Sequence, residues 1–269
     1  MKPAFPFIAA LMAVSACTNA TDAPASPPDG DILHYVRSNT DGSMAESVSV
    51  YRASDTEVAV FKRVQPCTPA ALVTGAFDPQ TGSASVLVGG RLSEDGTQVP
   101  FLWLTHDAAT HTLKTSKDGP GGTPLETVQL PGSAPWRLFD FDFADFNAMA
   151  RPPVTGETRH YDLALFWTAV EPGQQQIRSL GEMTATWQEV TTAGGEPVAR
   201  YALAGAGLDG GILDLDPEDG TVVEVRAPAP NHRGYTDYLL RRTGRDQGAE
   251  AWASLLAAHW SDCAEMPSD

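Results

Sequence analysis

The residues whose types and spacing could do chemistry gather first between positions 139 and 147. There the chain reads Phe139-Asp140-Phe141-Asp142-Phe143-Ala144-Asp145-Phe146-Asn147. Closely spaced carboxylates can bind a metal or share a proton. Drawn out as a strand, the stretch sets Phe139, Phe141 and Phe143 on one face and Asp140 with Asp142 on the other. The wet face of an amphipathic strand is therefore the expected role of these aspartates. A short helix over residues 140–150 is the local alternative. His106 and His111 flank a loop at 107–110 and are expected to meet across a hairpin. Two imidazoles with Asp107 could hold zinc, but a tight site needs further ligands in fixed geometry and the neighbourhood supplies none. His232, within Asn231-His232-Arg233-Gly234-Tyr235, reads as structural.

Three other patterns lose their chemistry on inspection. Gly205-Ala206-Gly207-Leu208-Asp209-Gly210 matches a dinucleotide-binding string, which works only where the last glycine opens a helix that can hold a pyrophosphate. Here Ile212-Leu213-Asp214-Leu215 and an Asp-Pro turn follow, so a loop or bulge before a strand is expected and no nucleotide cofactor is assigned. Asp214, Asp216, Glu218 and Asp219 have the look of a calcium loop, but Asp219 stands where the required glycine belongs and Gly220 comes one residue late. No metal is assigned. Arg241, Arg242 and Arg245 form the one basic cluster, suited to an anionic ligand or, equally, to salt bridges with the protein's own acidic surface. Gly-x-Ser-x-Gly, Ser-x-x-Lys, His-Glu-x-x-His and phosphate-loop patterns are all absent. No catalytic residue is assigned, although a triad built from distant residues would leave no such spacing.

The ends of the chain carry a different message. Met1-Lys2 precedes an uncharged run from Pro3 to Ala16 that is too short to cross a bilayer as a helix and has the layout of a secretory leader. It stops at Val14-Ser15-Ala16-Cys17. This resembles the lipobox of bacterial lipoproteins: a branched apolar residue, two small residues that admit the peptidase, and a cysteine whose thiol takes the lipid. The resemblance covers these first residues only. It implies a signal peptide at 1–16, lipidated Cys17 as the first mature residue, and a membrane partner reached through acyl chains. Thr18 in place of aspartate favours the outer membrane, facing the periplasm. Residues 18–30, TNATDAPASPPDG, lack large apolar side chains and read as a flexible tether. At ~3.1 Å per residue it would reach about 40 Å.

Charge and cysteine usage agree with that address. Against 18 Lys and Arg stand 34 Asp and Glu, a net charge of −16 that becomes one unit more negative when Lys2 leaves with the leader. Such a surface repels phosphate backbones, so nucleic acid is excluded as a partner. Cys67 and Cys263 remain, and in an oxidising compartment two thiols are expected to pair. The bridge would pin the C-terminal helix to the early sheet.

The elements that must position these groups read as antiparallel β. Met183, Ala185 and Trp187 alternate with Thr184, Thr186 and Gln188; Tyr161, Leu163, Leu165 and Trp167 alternate with Asp162 and Thr168; Val48 and Val50 alternate with serines. Phe101 to Leu104 is apolar on both faces, the mark of a central strand. Asp78-Pro79-Gln80-Thr81-Gly82 and Asp216-Pro217-Glu218-Asp219-Gly220 share an Asp-Pro-x-x-Gly turn, and Glu94-Asp95-Gly96 and Ala193-Gly194-Gly195 give further hairpin loops. A helix is expected over Gln247–Trp260, with Trp252, Leu255, Leu256 and Trp260 on one stripe and Asp246 as its cap. The fold class is mainly β. A single antiparallel meander, forming a curved sheet or half-barrel over residues 31–269, packs with the C-terminal helix. In shape alone it resembles the half-barrels of periplasmic lipid and lipoprotein carriers. The functional expectation is a non-enzymatic envelope lipoprotein that holds an apolar ligand or an envelope protein, with a hydrolase of dispersed site and a structural assembly subunit as the alternatives. Trp103, Trp167 and Trp187 could touch such a ligand, but core packing is their first expected use.

Overall fold

The computed structural model describes Met1 and residues 30–167, 173–261 and 263. The leader, Cys17, the tether as far as residue 29, and Thr168 lie outside the described residues.

The first strands are β1 (Asp31–Ser38), β2 (Glu46–Arg52), β3 (Glu57–Arg63), β4 (Ala71–Asp78), β5 (Ser83–Leu92), β6 (Gln98–Asp107), β7 (Thr112–Ser116) and β8 (Glu126–Gln129). The chain then forms β9 (Trp136–Leu138), a 3-10 turn (Phe139–Phe141) and helix α1 (Ala144–Ala148). It resumes as β10 (Thr158–Phe166), β11 (Ile177–Ala193), β12 (Glu196–Gly205), β13 (Ile212–Leu215), β14 (Val222–Ala227) and β15 (Tyr238–Gln247), and ends in α2 (Ala249–Ala257). The strands make one mixed sheet of 15, ordered β8-β7-β6-β5-β4-β3-β2-β1-β15-β14-β13-β12-β11-β10-β9.

That order corrects the single meander. The first strand pairs with the last, Asp31 opposite Gln247, so the seam that a linear meander leaves open is closed. The break falls instead between β8 and β9 in mid-chain, and β9 runs parallel to β10. The two edges are not left bare, as unpaired edges invite aggregation. The Glu126 carboxylate on β8 accepts the backbone N–H groups of Gln176 and Ile177 (3.0 Å each, to Oε2), at the start of β11. The Trp136 indole on β9 donates to the Ala84 carbonyl of β5 (3.0 Å).

Both Asp-Pro-x-x-Gly segments form the expected turns. Gly82 and Gly220 adopt positive φ (64° and 76°), and their N–H groups return to Asp78 O and Asp216 O (2.8 and 2.9 Å). β6 differs from expectation: Phe101 is exposed and only Leu104 is buried, because one face of this strand is open to solvent. Trp167 and Trp187 pack partly buried against the main core, and Trp103 is also partly buried.

The outer face of β1 and β3 meets α2, where Trp252 and Leu256 pack with Ile32, Phe61 and Leu72. Cys67, in the β3–β4 loop, is disulfide-bonded to Cys263 beyond α2, with Cα atoms 5.6 Å apart. The bridge closes a separation of 196 residues, worth about 5 kcal/mol on the chain-entropy account. Helix α2 begins two residues later than its stripe suggests. Its cap position is Gly248, while Asp246 stays on β15 and accepts from His34 (3.1 Å).

Most of the inner face is filled. The segment 139–148 threads through it and buries Phe139, Phe141, Phe143 and Phe146 among Tyr35, Tyr161, Tyr201 and Tyr238. The strand expected here is replaced by the 3-10 turn and α1, and α1 falls within the short helix offered as the alternative over residues 140–150. Asp142 and Phe143 between them take left-handed backbone (φ 53° and 57°). For residues with a Cβ this costs roughly 1–2 kcal/mol each, so surrounding contacts must impose it.

Candidate functional site

Strand alternation delivers two cations to the interior. Leu33, Tyr35 and Arg37 share the inner face of β1, and Val58, Val60 and Lys62 that of β3. Both dry faces therefore end in a positive charge beside the threaded segment. Asp142, fully buried, receives them: Lys62 Nζ lies 2.6 Å from Oδ2, and Arg37 Nη1 donates to Oδ1 at 3.2 Å. Asn231 Nδ2 (2.8 Å) and the Tyr238 hydroxyl (3.2 Å) also donate to Oδ1. Arg37 further pairs with Glu46 and touches Tyr235, whose ring it overlies at 4.9 Å. The cations beside Asp142 outweigh its burial and hold its carboxyl well below the usual range. The aspartate is thus the anion of a sealed cage, and its expected place on a wet face is overturned. Inward-facing cations from strands distant in sequence make an inner position favourable for this carboxylate.

Beside the cage lies a cavity of about 190 Å³, lined by Val73, Leu87, Leu104, Leu138, Phe141 and Phe166, with Phe101 among its walls. Its polar groups are Lys62, Asp140 and His232. Lys62 is already committed to Asp142 and to the Asp140 carbonyl. Asp140 is partly accessible, and its Oδ1 accepts the Phe166 N–H (2.9 Å). Desolvation, only partly offset by Lys62, pushes this carboxyl up to about 7. His232 accepts from Arg37 Nη1 at Nδ1 (2.7 Å), and burial beside Lys62 and Arg37 lowers it to about 3. At neutral pH the cavity therefore presents an uncharged imidazole and a carboxyl poised between its two forms. No Ser, Thr or Cys among the described residues lines it. The arrangement can solvate a small apolar body and exchange one proton with its polar end.

The other candidates fall as follows. His106 and His111 do meet, Nε2 to Nδ1 at 3.1 Å, but His111 turns its Nε2 to Asp162 (2.7 Å) on β10. Asp107 instead accepts from Lys114 (3.1 Å). The result is a file of three groups rather than a chelate, and no cluster of metal-ligating residues is present among the described residues. Gly132 permits it, since a Cβ there would stand 2.8 Å from Asp162 Oδ1. Gly205–Gly210 is the loop between β12 and β13, closed by Asp209 accepting the Gly205 N–H (3.1 Å). Asp214 pairs with Arg200, Asp216 with Arg242, and Asp219 with Arg245, so these acids are spent on ion pairs. Arg241 takes Glu224, and Arg245 also grips Asp31.

Sequence reasoning missed Arg37, Lys62, Glu46, Asn231 and Tyr238. The signal for the first two was a cation at the end of an alternating apolar face. Comparison with known proteins finds neither a family model nor a curated protein that matches this chain.

Proposed function

We propose that the protein is an envelope lipoprotein, anchored through Cys17, whose cavity binds a small ligand with an apolar body and a hydrogen-bonding end. The observation that supports the binding reading is the placement of Asp140, with a carboxyl near 7, at an otherwise apolar cavity of about 190 Å³. Size narrows the ligand. An apolar cavity of ~150 Å³ admits benzene, so this one suits a single ring or a short alkyl segment and is too small for a set of acyl chains. The rest of the described interior is packed with aliphatic and aromatic side chains, which weighs against a lipid carrier.

Thermal unfolding with benzyl alcohol as the probe tests the reading. Saturable stabilisation is expected, reaching ~2.7 kcal/mol at a hundredfold excess over the dissociation constant. Val73→Phe, which fills the cavity, should abolish it; equal responses from both proteins would refute the site. The anchor is tested separately by the acyl mass on the mature N-terminus and its loss in Cys17→Ser.

A second reading draws on the same carboxyl. An acid titrating near neutrality is suited to general acid–base work, which would make the protein an enzyme acting on the ligand without a covalent intermediate. Turnover with a pH profile tracking Asp140, lost in Asp140→Asn while probe binding persists, would favour it.

A further inference from the structure

A separate cleft of about 480 Å³ lies between the β4–β5 turn and residues 149–161. Arg137, Arg151, Arg159 and His160 converge on it, in a protein whose acids outnumber its Lys and Arg 34 to 18. Arg137 is the unusual member. It is 4% exposed and lies over the Tyr161 ring at 4.7 Å. Its Nη1 donates to the carbonyls of Gly82 (2.6 Å) and Trp136 (2.9 Å). No carboxylate pairs with it among the described residues, and its buried Nε has no partner there. A guanidinium withdrawn from water needs an anion or a full set of acceptors. Arg137 has no paired carboxylate and an unmet Nε among the described residues, and only the Phe146 and Tyr161 rings and the more distant buried Asp145 offset its charge.

The nearby acids make their short contacts elsewhere. Glu157 accepts from Arg151 Nη2 (2.8 Å) and from Arg159 Nε and Nη2 (2.8 and 2.6 Å), so one carboxylate serves two guanidiniums. Asp145, whose charge Arg137 favours, is wholly buried and still raised to about 6, with Oδ2 taken by the Leu138 N–H (2.7 Å). His160 reaches Glu182 only through Nδ1, at 3.3 Å. Three guanidiniums thus line the cleft, and no carboxylate of the described residues is paired with Arg137. A planar carboxylate fits one guanidinium fork, whereas a tetrahedral dianion accepts from several at once.

We propose that this cleft binds a phosphoryl group, as free phosphate or as a phosphate monoester, with Arg137 as the buried anchor and Arg151 and Arg159 as flanking donors. Calorimetric titration of the purified full-length chain with inorganic phosphate and with glycerol 3-phosphate, at constant ionic strength, tests it. One-to-one saturable binding is expected, weakened at least tenfold by Arg151→Glu. Thr158→Glu places a carboxylate on the same cleft from another exposed position and should weaken binding likewise, which keeps the test open if Arg151→Glu disturbs Glu157. Tighter glycerol 3-phosphate would identify an ester, such as a lipid headgroup or sugar phosphate, and tighter inorganic phosphate the free ion. No saturable binding of either probe, or binding indifferent to both substitutions, would overturn the proposal.

Discussion

Asp140 and Asp142 are separated by one residue, yet one lines a cavity and the other is sealed in a cage. Both face a burial penalty, which on its own keeps a carboxyl protonated. Around Asp142 that penalty is exceeded by two cations and two neutral donors at hydrogen-bonding distance. Around Asp140 it is not, because Lys62 gives its short contacts to Asp142 and to the Asp140 backbone carbonyl, leaving one N–H for the side chain. The protonation of a buried acid is therefore set by how many donors reach it. Depth alone does not decide it. The cage is structural in consequence, while the cavity keeps a group free to trade a proton.

Four substitutions would break or sharpen the contrast. Asp142→Asn strands Arg37 and Lys62 without their shared anion and should cost about 3–5 kcal/mol in urea unfolding, the usual penalty for half of a buried ion pair. A loss below ~1 kcal/mol would show that the cage does not hold the fold. Lys62→Met should cost less, about 2–3 kcal/mol, since Arg37 remains on Asp142. It should also move the Asp140 titration higher still, as read by carboxyl NMR shifts, because its one nearby cation is gone.

Asp140→Asn acts through pH. In the folded protein this carboxyl titrates near 7, above its ordinary value of 3.8. Its contribution is thus whole below about pH 4 and declines as pH rises through 7. The asparagine variant should gain melting temperature relative to the parent between pH 5 and pH 8; parallel curves would count against the raised value. His232→Gln runs the other way and, because it acts only in acid, should be the smallest effect at neutral pH. The imidazole is lowered to about 3 from 6.5, so its contribution is present above pH 6.5 and fades as pH falls toward 3. Removing it should flatten the acid limb of the melting curve.

Much of the fold was legible because its signals are local. The two Asp-Pro-x-x-Gly turns, the Ala193-Gly194-Gly195 hairpin, the alternation in β11 and the α2 stripe each need only near neighbours. The pairing of Cys67 with Cys263 followed from number and from the expected compartment rather than from geometry. The threaded segment was legible only in part, through the short helix placed second to a strand. Its period of two argued for a strand, and nothing within 139–147 announces left-handed backbone at Asp142 and Phe143. The contacts that impose it come from Arg37 and Lys62 early in the chain and from Asn231 and Tyr238 near its end, groups that meet only once the sheet has formed. The β1–β15 seam was equally hidden, because local alternation says which face is dry and not which strands meet.

That seam has a mechanical consequence. β1 is laddered to β2 on one side and β15 on the other, and Gly30 at its head is clasped by backbone bonds with Arg52 and Gly248 (2.7 Å each). A pull delivered at residue 30 runs along the strand, so both ladders bear the load together in shear; at a sheet edge the bonds would fail in succession. Tugging on the chain from that side meets two ladders at once.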